Sequence, residues 1–242
     1  MIFIQKNGLL IKVFIVIAVL ILAVTGISFA WANDTYDSTE TVNSNNLVEV
    51  ETGDYIVFKP KGKEVSRGFI FYPGAKVEPE AYSKLCSEIA EEGYLVVIPP
   101  MTLNFAIFSQ DKAKDIINEY NNIKSWTIGG HSLGGVAAAN YAIEDDRIDS
   151  IVFYASYPQA DSLEGSNLKA LSIYGSNDGV ANKDKVEGAI LPEGSEKRII
   201  EGGNHAGFGT YGEQSGDNKA DISNEEQIDK AVEYTVKFLK SL

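Results

Sequence analysis

The chain has 242 residues, enough for one α/β domain with a sizeable core, and no change of composition along its body indicates a second domain. It carries 21 basic and 34 acidic side chains, a formal charge of −13 at pH 7, which disfavours nucleic acid as a partner. Its single cysteine, Cys86, excludes an intrachain disulfide.

The N-terminal segment, residues 1–32, differs from the rest of the chain. Lys6 and Lys12 are followed by an uncharged apolar stretch from Val13 to Val24, and Ala30-Trp31-Ala32 resembles a cleavage site before Asn33. This pattern predicts a secretory signal and therefore export. The uncharged stretch continues to Ala32 and is then long enough to span a bilayer, so an uncleaved membrane anchor is the alternative.

The next segment, residues 33–46, is polar and has no periodic apolar pattern, so it predicts a flexible tether. The body, residues 47–242, alternates apolar strand patterns with amphipathic helical patterns. Strands are predicted at Leu47–Glu51, Tyr55–Lys59, Gly68–Tyr72, Tyr94–Ile98, Trp126–Gly129, Ser150–Ala155, Ala170–Tyr174 and Arg198–Ile200, and helices at 78–92, 112–121, 136–142 and 227–239. This alternation predicts an α/β fold with a mostly parallel central sheet, helices on both faces and antiparallel N-terminal strands.

The cysteine lies within the first predicted helix of the body. Tyr82, Leu85, Cys86 and Ile89 recur at helical spacing, which places the thiol on the apolar face. A buried, inert thiol is the interpretation, since a reactive cysteine needs an exposed position and a partner.

A glycine-flanked serine marks the centre of the body, in Gly130-His131-Ser132-Leu133-Gly134. A predicted strand precedes it and a small-residue helix follows. The glycines allow a sharp turn between the two elements, and the turn exposes the Ser132 hydroxyl at a helix N-terminus, where amide groups favour developing negative charge. Ser132 is therefore the candidate nucleophile, with His131 interpreted as a spacer whose side chain points away from the hydroxyl.

A serine nucleophile needs a base, and a histidine base needs a carboxylate to orient it. His205 is the remaining histidine and follows the last predicted strand. Asp178 follows the strand before it, through Gly175-Ser176-Asn177, and is the preferred acid. Asp161 and Asp184 are the alternatives, and they are less favoured because both are further from a predicted strand end.

Stabilisation of an oxyanion requires two backbone N–H donors. Leu133, immediately after Ser132, supplies one candidate. The other is Ala75, in the turn after the strand Gly68–Tyr72, with Gly74 as the alternative. Phe208 and Tyr211, in the glycine-rich stretch 202–216, are candidates for a substrate pocket, and equally for packing within that loop. The same stretch lacks the Gly-Lys-Ser or Gly-Lys-Thr of a phosphate-binding loop.

The motifs Gly130-His131-Ser132-Leu133-Gly134, Gly175-Ser176-Asn177-Asp178 and Gly203-Asn204-His205, in this order, resemble the α/β-hydrolase superfamily. Within it the chain is similar to the small branch related to dienelactone hydrolases and carboxylesterases. Dienelactone hydrolases carry a cysteine where this chain has Ser132, and the turn at Pro73-Gly74-Ala75 lacks the histidine-glycine start of many esterases. About 14 residues separate Ala155 from Ala170, so the resemblance implies an open site without a large cap domain.

Together with the N-terminal pattern, which predicts export, the resemblance implies an exported serine hydrolase, foremost a carboxylic ester hydrolase, with Ser132, His205 and Asp178 as its triad. A serine peptidase, an acyltransferase and a non-catalytic extracellular binding domain are the alternatives. We expect a small-molecule ester substrate, no cofactor, no metal and no nucleic-acid partner. A membrane becomes a partner only if residues 13–32 are retained.

Overall fold

The computed structural model describes residues 2–32, 34–41 and 43–242, with side chains from residue 12 onward. These residues form two compact units, one that ends at Thr35 and one from Tyr36 to Leu242. The first unit is a single helix, and the second contains the sheet and the candidate site.

The first unit is helix α1, Ile2–Ala32. Its part from Lys12 to Ala32 has a mean hydropathy of 2.9 and is long enough to cross a membrane, a property that it shares with signal sequences. The large apolar side chains of this part, from Val13 to Trp31, are exposed. Asn33, the expected first residue after cleavage, lies outside the described residues.

The second unit is built on an eight-stranded sheet with the order β1-β2-β4-β3-β5-β6-β7-β8. Its strands are β1 (Val48–Thr52), β2 (Ile56–Pro60), β3 (Arg67–Tyr72), β4 (Leu95–Ile98), β5 (Ser125–His131), β6 (Ile148–Tyr154), β7 (Lys169–Gly175) and β8 (Glu196–Ile200). The pairs β1–β2 and β2–β4 are antiparallel, and the remaining pairs are parallel. The predicted fold class is therefore confirmed.

The helices cover both faces of the sheet and have the bounds α2 (Ser83–Glu91), α3 (Lys112–Glu119), α4 (Leu133–Ala142), α5 (Lys183–Glu187) and α6 (Asn224–Ser241). Helices α2 and α6 contribute to the hydrophobic core on one face, and α3 and α4 to the core on the other. Cys86 on α2 is fully buried, and this burial raises the pKa of its thiol. The thiol is therefore protonated and a poor nucleophile at neutral pH.

Three details differ from the pattern in the sequence. The first predicted helix of the body begins with a 3₁₀ turn, Pro79–Tyr82, before α2. The five-residue helix α5 is too short to produce a recognisable period. Residues 36–39, within the expected tether, hydrogen-bond to the body: the Tyr36 amide donates to the Lys76 carbonyl at 2.7 Å and the Thr39 amide to the Thr210 carbonyl at 2.7 Å.

The parallel strands bring their carboxyl ends to one edge of the sheet. The turns after β3, β5, β7 and β8 all lie at this edge, and they contain the candidate site residues. The connection from β6 to β7 contains only turns and bends, so no large cap covers the edge there.

Candidate functional site

Ser132 forms the turn between β5 and α4, with φ 51° and ψ −124°. A positive φ is unfavourable for a residue with a side chain, and such strain persists only where the surroundings enforce it. Two glycines make the turn possible. A Cβ on Gly130 would lie 2.4 Å from the Gly134 carbonyl carbon, and one on Gly134 would lie 2.2 Å from the Tyr72 carbonyl oxygen. The turn therefore packs directly against the end of β3 and leaves Ser132 partly exposed.

Asp178 and His205 meet at the same edge, where the turns after β7 and β8 lie side by side. His205 Nδ1 is 2.9 Å from Asp178 Oδ2, and both side chains are buried. The other carboxylate oxygen, Oδ1, accepts the amides of Val180 and Ala181, each at 2.8 Å. Because a carboxylate only accepts hydrogen bonds, His205 carries its proton on Nδ1, and Nε2 is left as the proton acceptor.

The Nε2 atom of His205 is buried and has no hydrogen-bond partner among the described residues. No hydrogen bond joins it to the Ser132 hydroxyl in this part of the chain. Hydrogen bonds of this kind are often long in the absence of substrate and tighten when substrate binds. The unpaired acceptor is the group that a proton-transfer role requires.

The turns that hold the acid and the base are linked through their backbones. A Cβ on Gly175 would lie 2.3 Å from the Gly203 carbonyl oxygen, so the two turns approach closely only because residue 175 is glycine. Asp217 joins them a second time, since Oδ2 accepts the Ala206 amide at 2.8 Å and Oδ1 accepts the Gly179 amide at 2.9 Å.

Helix α6 also supports the base. Gln227 is fully buried, accepts the Asn204 amide at 2.9 Å and donates to the Asn204 carbonyl at 2.7 Å. Neither Gln227 nor Asp217 is recognisable from the sequence as a residue that supports the site. Their spacing from His205 carries no pattern, because the contacts depend on how the loop and α6 pack.

The two candidate oxyanion donors are both available. The amides of Leu133 and Ala75 have no acceptor among the described residues, and both residues are partly exposed. The Gly74 amide, the alternative to Ala75, instead donates to the Tyr82 hydroxyl at 3.1 Å. The geometry thus favours Ala75 over Gly74.

His131 is more than a spacer within the turn. Its ring is fully buried, and its centroid is 4.5 Å from that of the His205 ring. Nδ1 lies 2.8 Å from the Tyr82 hydroxyl and Nε2 lies 3.1 Å from the His205 carbonyl oxygen. Burial and the neighbouring His205 hold the pKa of His131 well below its usual value, so the ring is neutral.

The aromatic candidates for a substrate pocket lie in the interior. Phe208 is fully buried and packs edge-on against Tyr154, while Tyr211 is 6% exposed and contacts the rings of Tyr36 and Tyr82. This placement fits loop packing better than a substrate pocket, because both rings are buried against neighbouring aromatic side chains. Asp161 and Asp184, the alternative acids, are exposed.

The assembled groups comprise a partly exposed hydroxyl, an imidazole with a free acceptor nitrogen, a carboxylate and two free amides. This combination suits attack on a carbonyl carbon, since the oxygen of the tetrahedral intermediate needs N–H donors. The described residues contain no group of three or more His, Cys, Asp and Glu side chains arranged to hold a metal ion.

Comparison with solved structures finds the same fold in several proteins of low sequence identity. A predicted CIB-like hydrolase from Thermoplasma acidophilum is 19% identical, with a TM-score of 0.59 over 81% of this chain and 99% of that chain. The esterase domain of a Rhodothermus marinus protein is 11% identical, with a TM-score of 0.62 over 77% and 92%. Est1E from Butyrivibrio proteoclasticus, solved with ferulic acid bound, is 11% identical, with a TM-score of 0.60 over 84% and 100%.

No curated protein matches the sequence. Residues 68–229 match the alpha/beta hydrolase family, and this range includes the turns that contain Ser132, Asp178 and His205. The matched range is well over half of the chain. The chain therefore belongs to the alpha/beta hydrolase family.

Proposed function

We propose that this protein is an exported serine hydrolase that cleaves carboxylic esters. The observation that carries the proposal is the buried 2.9 Å contact between Asp178 and His205, at the strand edge where Ser132 occupies a strained turn. The esterases among the structural neighbours support an ester as the bond that is cleaved.

The reaction proceeds in two stages. The Ser132 hydroxyl attacks the ester carbonyl while His205 Nε2 takes its proton, and the oxyanion is held by the amides of Leu133 and Ala75. The ester C–O bond breaks, and His205 returns the proton to the leaving alcohol. A water molecule then attacks the acyl-enzyme with His205 again as base, which releases the acid and restores the Ser132 hydroxyl. Asp178 orients His205 throughout.

Export is proposed from the N-terminal unit. The apolar helix from Lys12 to Ala32 follows the pattern of a signal or a signal anchor, and its exposed apolar side chains require a non-aqueous environment.

The test is labelling of the full-length protein in mild detergent with a fluorescent fluorophosphonate. We expect labelling of wild type and of the control Ser166→Ala, a serine whose hydroxyl donates to the Leu163 carbonyl at 2.9 Å, and none of Ser132→Ala. Absence of labelling in native wild type contradicts the proposal.

A panel of p-nitrophenyl esters and one hydroxycinnamoyl ester then addresses the substrate. The panel includes the latter because the Est1E structure contains ferulic acid. The uncapped edge predicts a preference for short acyl chains. Labelling without hydrolysis of any ester favours a peptidase or an acyltransferase, and failure of both assays favours a binding domain.

A further inference from the structure

A continuous chain of buried hydrogen bonds runs beneath the candidate site. The Gly74 amide donates to the Tyr82 hydroxyl at 3.1 Å, and this hydroxyl is 2.8 Å from His131 Nδ1. On the other side of the ring, His131 Nε2 is 3.1 Å from the His205 carbonyl oxygen. Both Tyr82 and His131 are fully buried. The chain therefore connects the turn after β3 with the turn after β8, by way of the residue that precedes Ser132.

The direction of each hydrogen bond follows from the donors available. A carbonyl oxygen only accepts, so His131 carries its proton on Nε2 and donates to His205. Its Nδ1 is then an acceptor, and the Tyr82 hydroxyl donates to it. The same hydroxyl accepts from the Gly74 amide. All donors and acceptors in this chain of hydrogen bonds are paired in only one arrangement of the protons. That arrangement requires a neutral His131.

The packing around these groups leaves them little freedom. The His131 ring lies 5.7 Å from the Tyr82 ring and 5.8 Å from the Phe208 ring, between centroids. A Cβ on Gly74 would lie 2.8 Å from His131 Nδ1 and 2.9 Å from the Tyr82 hydroxyl. Only glycine therefore brings the backbone after β3 into reach of this hydroxyl.

The chain of hydrogen bonds gives two neighbouring amides different roles. The Gly74 amide is buried and engaged, whereas the Ala75 amide is partly exposed and has no acceptor among the described residues. Engagement of the Gly74 amide anchors the peptide adjacent to the one that carries the Ala75 donor. At its other end the chain holds the backbone of His205, whose ring must meet the Ser132 proton.

We propose that Tyr82 and His131 form a positioning relay, which sets the oxyanion turn and the base at fixed places on either side of Ser132. This inference rests on the proposed hydrolase function. Neither residue touches substrate. Both act by holding the Ala75 amide and the His205 imidazole, and small displacements of such groups cost about 10²-fold in rate.

The test compares two tyrosine variants of the full-length protein. Tyr82→Phe removes the hydroxyl that joins Gly74 to His131. The control Tyr154→Phe removes an equally buried hydroxyl in the same core, which bonds instead to Thr235 Oγ1 at 2.8 Å. Tyr82→Phe loses two buried hydrogen bonds and Tyr154→Phe loses one, so we expect both variants to lose unfolding free energy and Tyr82→Phe to lose more.

The readouts are kcat and KM for p-nitrophenyl acetate and the rate of fluorophosphonate labelling. For Tyr82→Phe we expect kcat and the labelling rate to fall by about 10- to 100-fold with KM nearly unchanged, since the oxyanion donor acts in the transition state. For Tyr154→Phe we expect both to stay close to wild type.

A second comparison tests whether the two residues act as one unit. His131→Phe breaks both hydrogen bonds of the ring, whereas His131→Gln retains an amide donor for the His205 carbonyl and is expected to recover part of the lost kcat. In the double variant of Tyr82→Phe with His131→Phe, the loss of kcat is expected to be smaller than the product of the two single losses.

Equal kcat values for Tyr82→Phe and Tyr154→Phe, in protein whose wild type is labelled at Ser132, overturn the relay. So does a double variant whose losses simply multiply. Absence of labelling in wild type is a different result, which rejects the hydrolase function itself.

Discussion

Ser132 has a backbone conformation that costs about 1–3 kcal/mol for a residue with a side chain. Neighbouring groups offset this cost. The Ser132 carbonyl accepts the Ser156 hydroxyl at 2.6 Å and the Gly135 amide at 3.1 Å, and glycines at positions 130 and 134 remove the clashes. The glycine spacing is readable from the sequence, while the hydrogen bond from Ser156 is not.

The assignment of the acid is testable at the residue scale. Asp178→Asn places an amide against His205 Nδ1 and disturbs the tautomer that leaves Nε2 free, so we expect kcat to fall by about 10⁴-fold, as in other triads. Asp184→Asn, an exposed control on α5, is expected to keep the wild-type kcat. Steady-state hydrolysis of p-nitrophenyl acetate provides the measurement, and equal losses in the two variants would exclude Asp178 as the acid.

The buried His131 predicts a dependence of stability on pH. Burial and the neighbouring His205 hold its pKa in the folded protein well below 6.5. The other side chains that face its ring, Tyr82, Phe208 and Tyr211, carry no charge near neutral pH. As pH falls below about 6.5, the unfolded chain binds a proton that the folded protein excludes. This group therefore lowers the free energy of unfolding by up to about 1.4 kcal/mol per pH unit.

Urea unfolding of wild type and His131→Gln at pH 7.5, 6.5 and 5.5 measures this dependence. We expect a steeper loss of stability on acidification in wild type. The side chain of the variant does not titrate, so its unfolded state binds no extra proton at this position. Parallel pH profiles for the two proteins would contradict the prediction.

At the scale of elements, the turn after β8 depends on a helix that is distant in the chain. Gln227 on α6 satisfies both the amide and the carbonyl of Asn204, next to His205. Cβ atoms on Gly203 and Gly207 would lie 2.8 and 2.1 Å from its side-chain oxygen, so the loop closes around this one side chain. The base is therefore held from α6 as well as from β8.

Replacement of this side chain is expected to lower both stability and activity, and a control on the same helix separates the two effects. Gln227→Met leaves the partly buried amide and carbonyl of Asn204 without these partners, and we expect the free energy of unfolding to fall by about 1–3 kcal/mol. Activity should fall with it, because the backbone next to His205 loses its support. The control Thr235→Val, also on α6 and fully buried, breaks the hydrogen bond with Tyr154 instead.

We expect the control to be less stable than wild type but to retain its kcat at a temperature where both variants are folded. Chemical unfolding and p-nitrophenyl acetate hydrolysis are the two measurements. An unchanged kcat in Gln227→Met would show that the backbone of β8 positions His205 without help from α6.

At the scale of the whole molecule, the surfaces of the two units differ in chemical character, one acidic and the other apolar. The unit from Tyr36 to Leu242 contains nearly all of the 34 acidic residues of the chain, whereas the helix from Lys12 to Ala32 has none and exposes its apolar side chains. An acidic surface favours solubility, and an exposed apolar helix requires a membrane or removal.

The N-terminal unit is accordingly expected to determine localisation. The full chain should be found outside the cytoplasm, while a chain that lacks residues 2–32 should remain inside, as measured by hydrolase activity in cell fractions. N-terminal sequencing of the exported protein distinguishes cleavage, which leaves Asn33 first, from a retained anchor. Full-length activity in the soluble cytoplasmic fraction would contradict export.

Sequence patterns alone predicted the fold class, the positions of the motifs after successive strands, and Asp178 and His205 as the expected acid and base. The periods of strands and helices are local properties of the sequence, and the glycine spacing around Ser132 reflects local backbone geometry. Both can therefore be predicted from neighbouring residues alone. The structure agrees with the fold and joins Asp178 to His205.

The surroundings of these residues depend on the packing of distant parts of the chain. In the structure Phe208 and Tyr211 are buried, and the Gly74 amide donates to the Tyr82 hydroxyl. His131, expected to be only a spacer, links two turns through its ring. The partners of His131 are 49 and 74 residues away in the chain. Contacts at such distances follow from how strands and helices pack, and no local pattern of residues encodes them.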